Sequence, residues 1–303
     1  MKSLNEYLIN EDIHINSVFK PFNETSHISN INTNNTGKNS PEAAKTAFEG
    51  VLDDIDTNIE QGDRALVLDF LDKNYTWVGL RVSDKPNKKG LYEVSAKGVT
   101  VTNLNIEYLT NDMFEFTEVA EFSCFNCKKL KSLKGSPRKA LGFSCGNCYN
   151  LKSLKGGPEF VERRFSCDYC VKLKSLEGAP TNAVKHFMCE GCHALKNLKG
   201  APKRVERRFV CGFCKGLESL EGAPSIVPVE FDCSFCQNLK SLKGCPEKVN
   251  IFDCSHCIKL ESLEGMPNDV MDVICYQCGK NFTEDEVYRH IKNVNINILT
   301  KAL

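Results

Sequence analysis

No stretch of this sequence is long and apolar enough to cross a bilayer as a helix, which takes about 20 residues, so no membrane partner is expected. Residues 1–14 contain acidic side chains and no uninterrupted apolar run, so a secretory signal is not expected either. Several enzyme signatures are missing: no glycine-rich phosphate loop, no His-Glu-x-x-His and no dinucleotide fingerprint. The acidic residues Asp53, Asp54, Asp56 and Glu60 read as a solvated helix face, and no catalytic residue is assigned. The expectation is a chain that is not an enzyme.

Net charge is lacking too, with 39 basic against 39 acidic residues, but the balance hides an asymmetry. Residues 1–119 carry 11 Lys and Arg against 19 Asp and Glu; residues 120–303 carry 28 against 20. An excess of eight positive charges is too small to imply a polyanion, so nucleic acid is not the expected partner. With 41% hydrophobic residues in 303, the chain can still bury a substantial core.

What is abundant is cysteine. Seventeen thiols without a secretory signal argue for a reducing compartment, with cysteines as core residues or metal ligands rather than disulfides. Sixteen of them fall in eight CxxC pairs: Cys124/Cys127, Cys145/Cys148, Cys167/Cys170, Cys189/Cys192, Cys211/Cys214, Cys233/Cys236, Cys254/Cys257 and Cys275/Cys278. The period is 21 or 22 residues; Cys245 stands outside it and reads as a small turn residue.

Other positions repeat in phase. Phe122, Phe143, Phe165, Phe187, Phe209, Phe231 and Phe252 each precede a first Cys by two, and Val273 takes that place in the last unit. Leucines follow three and six after the second Cys, then a Gly and a Pro, with an aliphatic residue such as Val161, Val184 or Val205 shortly beyond. The unit F-x-C-x-x-C-x-x-L-x-x-L-x-G-x-P predicts a short strand whose Phe and Cys face inward, then a coil that turns at Gly and Pro. One such unit cannot bury its apolar side alone, whereas a stack of units makes continuous Phe, Cys and Leu columns.

This unit resembles a variant leucine-rich repeat, similar to the cysteine-containing and BspA-like types and to repeat proteins common in tailed-phage genomes. The opening Met-Lys-Ser-Leu-Asn-Glu-Tyr-Leu-Ile-Asn-Glu also resembles N-terminal tags of tailed-phage head-associated proteins, where a short helix directs the protein into the prohead. The resemblance implies a non-catalytic, phage-type protein-binding scaffold. It would be virion-associated or act on a host or defence protein, in the host cytoplasm or the virion, with no cofactor.

The expected fold is an α+β N-terminal segment followed by a β-rich, leucine-rich-repeat-type solenoid of eight coils with a C-terminal helical cap. The expected divisions are an N-terminal helix and flexible linker (1–40), a small mixed α/β capping domain (41–119), the solenoid (120–278) and the cap (279–303). Within these, Pro41 opens a helix to about Gln61, Arg64–Lys73 is a second helix, and Trp77–Val82, Leu91–Ala96 and Val99–Val101 are strands turning at Lys97-Gly98. Ile106, Leu109, Phe114 and Phe116 close the first coil, and Thr283-x-x-Glu286 is a capping box opening a helix to about Lys292.

Two surface readings stay open. The CxxC pairs form either a buried structural ladder with no metal or a zinc-binding array that contacts nucleic acid. Even spacing, with a Phe before seven of the eight pairs, favours the ladder. On the outer turn, Lys131, Lys152, Lys174 and Lys196 form one column and Lys134, Lys155 and Lys199 lie in a second, a basic strip that serves either an acidic partner or solubility. Arg163, Arg164, Arg207 and Arg208 form a second, interrupted basic set just before the Phe strands.

Overall fold

The computed structural model describes residues 60–181 and 184–291, and the backbone of the strand Asn297–Leu299. The expected N-terminal helix, linker and Pro41 helix lie outside these residues.

Helix α1 (Glu60–Asn74) leads into β1 (Tyr75–Val78) and β2 (Arg81–Val82), both antiparallel to β3 (Tyr92–Val101). Every later strand adds in parallel: β4 (Phe114–Ser123), β5 (Lys139–Ser144), β6 (Phe160–Ser166), β7 (Val184–Met188), β8 (Val205–Val210), β9 (Glu230–Asp232), β10 (Lys248–Asp253), β11 (Asp269–Ile274) and β12 (Asn297–Leu299). The result is a β-solenoid whose coils contribute one strand each to a single sheet. From residue 60 onward, the segment expected as a capping domain joins that same sheet.

Three local expectations are corrected. Trp77–Val82 is two strands, because Gly79 at φ 65° breaks it. Lys97-Gly98 is no turn: β3 runs straight through it, and the irregularity sits at a bulge between Val94 and Ala96. The C-terminal helix α2 spans only Glu284–Tyr288, although its capping box is formed by Thr283 and Glu286 as the spelling implies. At the start of the stack Ile106, Leu109, Phe114 and Phe116 are buried, while β1 and β2 pair with β3 and so shield what would be an open parallel edge.

Inside, Phe122 through Phe231 stack face to face at 5.2–5.6 Å with interplanar angles of 6–17°. That spacing follows from coils about 4.8 Å apart with identical side chains in register. At the N-terminal end Phe116 meets Phe122 edge-on at 69°, which ends the stack. Both leucine columns and Val161, Val184, Val205 and Val227 are fully buried beside it. The alternation of 21 and 22 residues is absorbed by bulges. Ala140 pairs with Val161, 21 residues on, whereas Gly142 pairs with Arg164, 22 on; Val184 and His186 repeat the shift against Val205 and Arg208.

Candidate functional site

The pairs form two columns, and the second Cys satisfies backbone groups at the turn, as the leucine-rich-repeat resemblance implies. The first closes the strand and is buried; among the described residues Cys145 and Cys211 donate no thiol hydrogen bond, whereas Cys124, Cys167 and Cys233 donate to the next coil, to the carbonyls of Ser144 at 3.6 Å, Met188 at 3.5 Å and Asp253 at 3.3 Å. The second is no plain apolar residue: one turn later, it donates its thiol to the carbonyl of the first Cys in the preceding coil. Cys148 donates to Cys124 at 3.1 Å, Cys170 to Cys145 at 3.1 Å, Cys192 to Cys167 at 3.2 Å and Cys214 to Cys189 at 3.2 Å. The series continues with Cys236 to Cys211 at 3.3 Å, Cys257 to Cys233 at 3.2 Å and Cys278 to Cys254 at 3.3 Å. Cys192 and Cys257 are fully buried, so each enters the core as a hydrogen-bond donor and not as an inert filler. These carbonyls sit where the strand ladder turns away, and a buried carbonyl without a donor is costly.

Burial pushes the thiols of Cys211 and Cys236 well up, and Cys127 up to about 12; for Cys124 the hydrogen bond from Cys148 acts first and burial second. A protonated, enclosed thiol is a poor nucleophile and a poor ligand. Among the described residues no group of three or more His, Cys, Asp or Glu is arranged to hold a metal ion.

This geometry predicts a difference within one coil. The Cys211 thiol donates no hydrogen bond, while Cys214 supplies the one thiol donor to the Cys189 carbonyl. Cys214→Ala should therefore lose about 1–3 kcal/mol more stability than Cys211→Ala in urea unfolding. Equal losses would show that the thiol hydrogen bonds carry no net stability.

The backbone ladder continues through the CxxC turn. The N–H of its second x residue donates to the next coil, as Phe213 does to Ser234 and Phe235 to Ser255, both at 2.8 Å. The turn holds that residue left-handed in every coil: Asn126, Asn147, Tyr169, Gly191, Phe213, Phe235, His256 and Gln277 all have φ between 53° and 64°. Asn and Gly adopt this conformation readily, but Tyr and Phe do not. Here the bulky residues are also on the surface. Tyr169 is 42% exposed and Phe213 39%. The Phe213 and Phe235 rings stack at 4.3 Å and 7°, Phe235 and His256 at 4.0 Å and 16°, and Tyr276 meets His256 edge-on at 5.1 Å. Tyr169 lies over Gly191, where an added Cβ would strike its ring, and its hydroxyl donates to Glu190 at 2.7 Å. The product is an aromatic ridge along one margin of the sheet. Sequence reasoning missed it because the position varies in residue type; what repeats there is a backbone conformation.

The lysine strip faces outward but is largely neutralised between coils. Lys131 pairs with Glu107, Lys134 with Asp112 at 2.9 Å, Lys155 with Glu177 at 3.3 Å, Lys196 with Glu218 at 2.8 Å and Lys199 with Glu221 at 2.9 Å. Such exposed pairs are worth at most about 1 kcal/mol each. Lys152 and Lys174, on adjacent coils, have no carboxylate within ion-pair distance among the described residues.

The expected absence of a Gly-x-Ser-x-Gly signature, alongside the other enzyme signatures, is wrong: Gly142-Phe143-Ser144-Cys145-Gly146 spells one. A serine nucleophile in that string sits on an exposed strand-to-helix turn. Ser144 instead ends β5, is 5% exposed, and lies in register between Ser123 and Ser166 with another coil following. No helix among the described residues is long and apolar enough to cross a membrane. Comparison with protein-family models, with curated proteins and with solved structures finds no match for this chain.

Proposed function

We propose that this chain is a non-catalytic protein-binding scaffold that takes its partner along the aromatic ridge Tyr169, Phe213, Phe235, His256 and Tyr276. The observation that carries this reading is that Tyr169, Phe213 and Phe235 hold aromatic side chains on a left-handed backbone that disfavours them, with Tyr169 and Phe213 exposed and Phe235 half-buried. A strained residue of this kind costs roughly 1–3 kcal/mol and persists where something other than folding requires it. Stacking returns only about 0.5–1.5 kcal/mol per pair. Exposed, pre-ordered aromatics are what partner proteins bury at the centre of tight contacts. Lys152 and Lys174 add two unpaired positive charges on the outer turn. A tailed-phage setting, with a host or virion protein as partner, belongs to the same proposal and rests on the repeat's resemblance alone.

The ridge supplies its own control, because Asn126 and Asn147 already occupy this position in the first two coils. The double change Phe213→Asn and Phe235→Asn should hold stability within about 1 kcal/mol of wild type, since relief of strain offsets lost stacking. It should also abolish capture of the proteins that wild type retains from host extract, identified by mass spectrometry. Capture of the same set by both forms would remove the ridge from the function. Loss with Lys152→Ser and Lys174→Ser alone would move the site to the lysine turn.

A further inference from the structure

The residues that end strands β6 to β11 form one column: Ser166, Met188, Val210, Asp232, Asp253 and Ile274 are successive partners. Asp232 and Asp253 are therefore neighbours, about 4.8 Å apart along the stack. Each carboxylate folds back onto the CxxC turn that follows it. Asp232 accepts from the Ser234 amide and Asp253 from the Ser255 amide, both at 2.8 Å. The Asp232 carboxylate also lies against Gly212, where an added Cβ would come within 3.3 Å of its Oδ1. Gly212 precedes Phe213, and Ser234 precedes Phe235. The two carboxylates thus run alongside the stacked rings of Phe213, Phe235 and His256. Just after the CxxC turns come Lys215, Gln237 and Ile258, so the acid lines only the strand side of the ridge. This pair is not neutralised within the chain. Two residues upstream Arg164, His186 and Arg208 are successive partners, which joins across the sheet the arginine pairs that look interrupted along the sequence. Of these, Arg208 reaches Glu230 at 2.6 Å. Asp232 and Asp253 have no cation within ion-pair distance among the described residues. Burial, then the neighbouring Asp232, pushes Asp253 up to about 6.

We propose that the aromatic ridge takes a basic segment of its partner protein, with arginine side chains lying on the rings of Phe213 and Phe235 and against the carboxylates of Asp232 and Asp253. This names the partner's chemistry at the ridge and rests on that reading of the ridge. A row of aromatic rings alone would also accept a nucleic-acid base or an apolar side chain. Carboxylates beside the rings repel phosphate, so the local charge selects against nucleic acid and anionic lipid. A guanidinium fits both halves of the site: it is flat, stacks on aromatic rings, and forks its donors onto carboxylates. Its charge also offsets the repulsion between Asp232 and Asp253, so the partner supplies the countercharge that this part of the chain lacks.

Fluorescence anisotropy of the full chain with two labelled peptides, one alternating Arg and Gly and one alternating Glu and Gly, tests the proposal. In about 0.1 M salt the Arg-Gly peptide should bind and the Glu-Gly peptide should not. Asp232→Asn with Asp253→Asn keeps the side-chain shape and an acceptor oxygen at each turn. It should weaken Arg-Gly binding by about tenfold or more. Phe213→Asn with Phe235→Asn should weaken it as well. The first pair of changes removes repulsion and the second removes backbone strain, so both forms should fold, which circular dichroism checks. No binding of the Arg-Gly peptide to wild type overturns the basic partner, and so does binding that the Asp changes leave as it was. Binding lost with the Asp changes but kept with the Phe changes overturns it too, because the carboxylates then act without the rings. The ridge itself is judged separately, by whether the Phe changes abolish capture from host extract.

Discussion

Gly200→Ala should be among the most damaging additions of a single methyl group in this molecule, lowering stability by about 2–5 kcal/mol. Gly200 ends its coil at φ 93°, and a Cβ built there lands inside contact distance of the Glu177 amide nitrogen and the Leu176 carbonyl carbon of the previous coil. Those atoms are backbone held by the stack and cannot swing aside as a side-chain tip would. The left-handed conformation costs an L-residue about 1–2 kcal/mol, and overpacking against fixed neighbours typically adds about 1–3. Gly90 separates the two effects, because it has a similar φ of 75° but open space around the added methyl. Gly90→Ala should lose only the conformational part, about 1–2 kcal/mol. Urea unfolding of the two variants checks this; equal losses would mean that the coils separate easily at the Gly turn and are not packed backbone to backbone.

This turn also shows why the solenoid could be read from sequence. Gly135, Gly156, Gly178, Gly200, Gly222, Gly244 and Gly265 recur because each meets the same two demands, positive φ and a close backbone. The Phe, Cys and Leu columns recur because every coil presents them to the same neighbours above and below. Where one physical requirement selects one residue type, a period appears in the sequence. The N-terminal strands lack that support. Gly98 resembles a turn glycine, yet nothing local reveals that β4 lies alongside and keeps β3 extended through it. Likewise the lysines of the outer turn read as a basic strip, because Glu107 and Asp112 precede the repeat and come beside Lys131 and Lys134 only once the chain has coiled.

The candidate surfaces were less legible for a related reason. At the second x of CxxC the requirement is a left-handed backbone whose side chain reaches solvent, and Asn, Gly, Tyr, Phe, His and Gln all occupy it. On the sheet face, Arg163-Arg164 and Arg207-Arg208 stand apart in the sequence, and Lys185-His186 joins them only through a register shifted by the bulge at Val184. Sequence shows composition along the chain, whereas a solenoid assembles its surfaces across it. The chemistry of both surfaces therefore depends on register, which the repeat period fixes only to within the one residue by which 21 and 22 differ.

Leu195→Ala should cost about 2–5 kcal/mol, the range for a buried leucine replaced where neighbours cannot collapse into the space. Leu195 is fully buried in the fourth coil, in line with Leu173 before it and Leu217 after it. Adjacent coils are tied by backbone ladders on the strand and again through the CxxC turn, so neither can shift toward the vacancy without breaking hydrogen bonds. A stack in which each coil touches only its neighbours adds a dependence on position. A cavity in a central coil weakens the contacts on both sides and should lower the cooperative unfolding of the whole array. The same cut at Leu263, in the seventh coil near the C-terminal end, should instead let that end open first. Amide exchange after Leu263→Ala is expected to speed up in β10 and β11 and remain slow in β6 to β8, whereas Leu195→Ala should raise exchange across all of them. A loss below about half a kcal/mol for Leu195→Ala in urea unfolding, well under the range for buried leucines, would contradict the tightly packed leucine column.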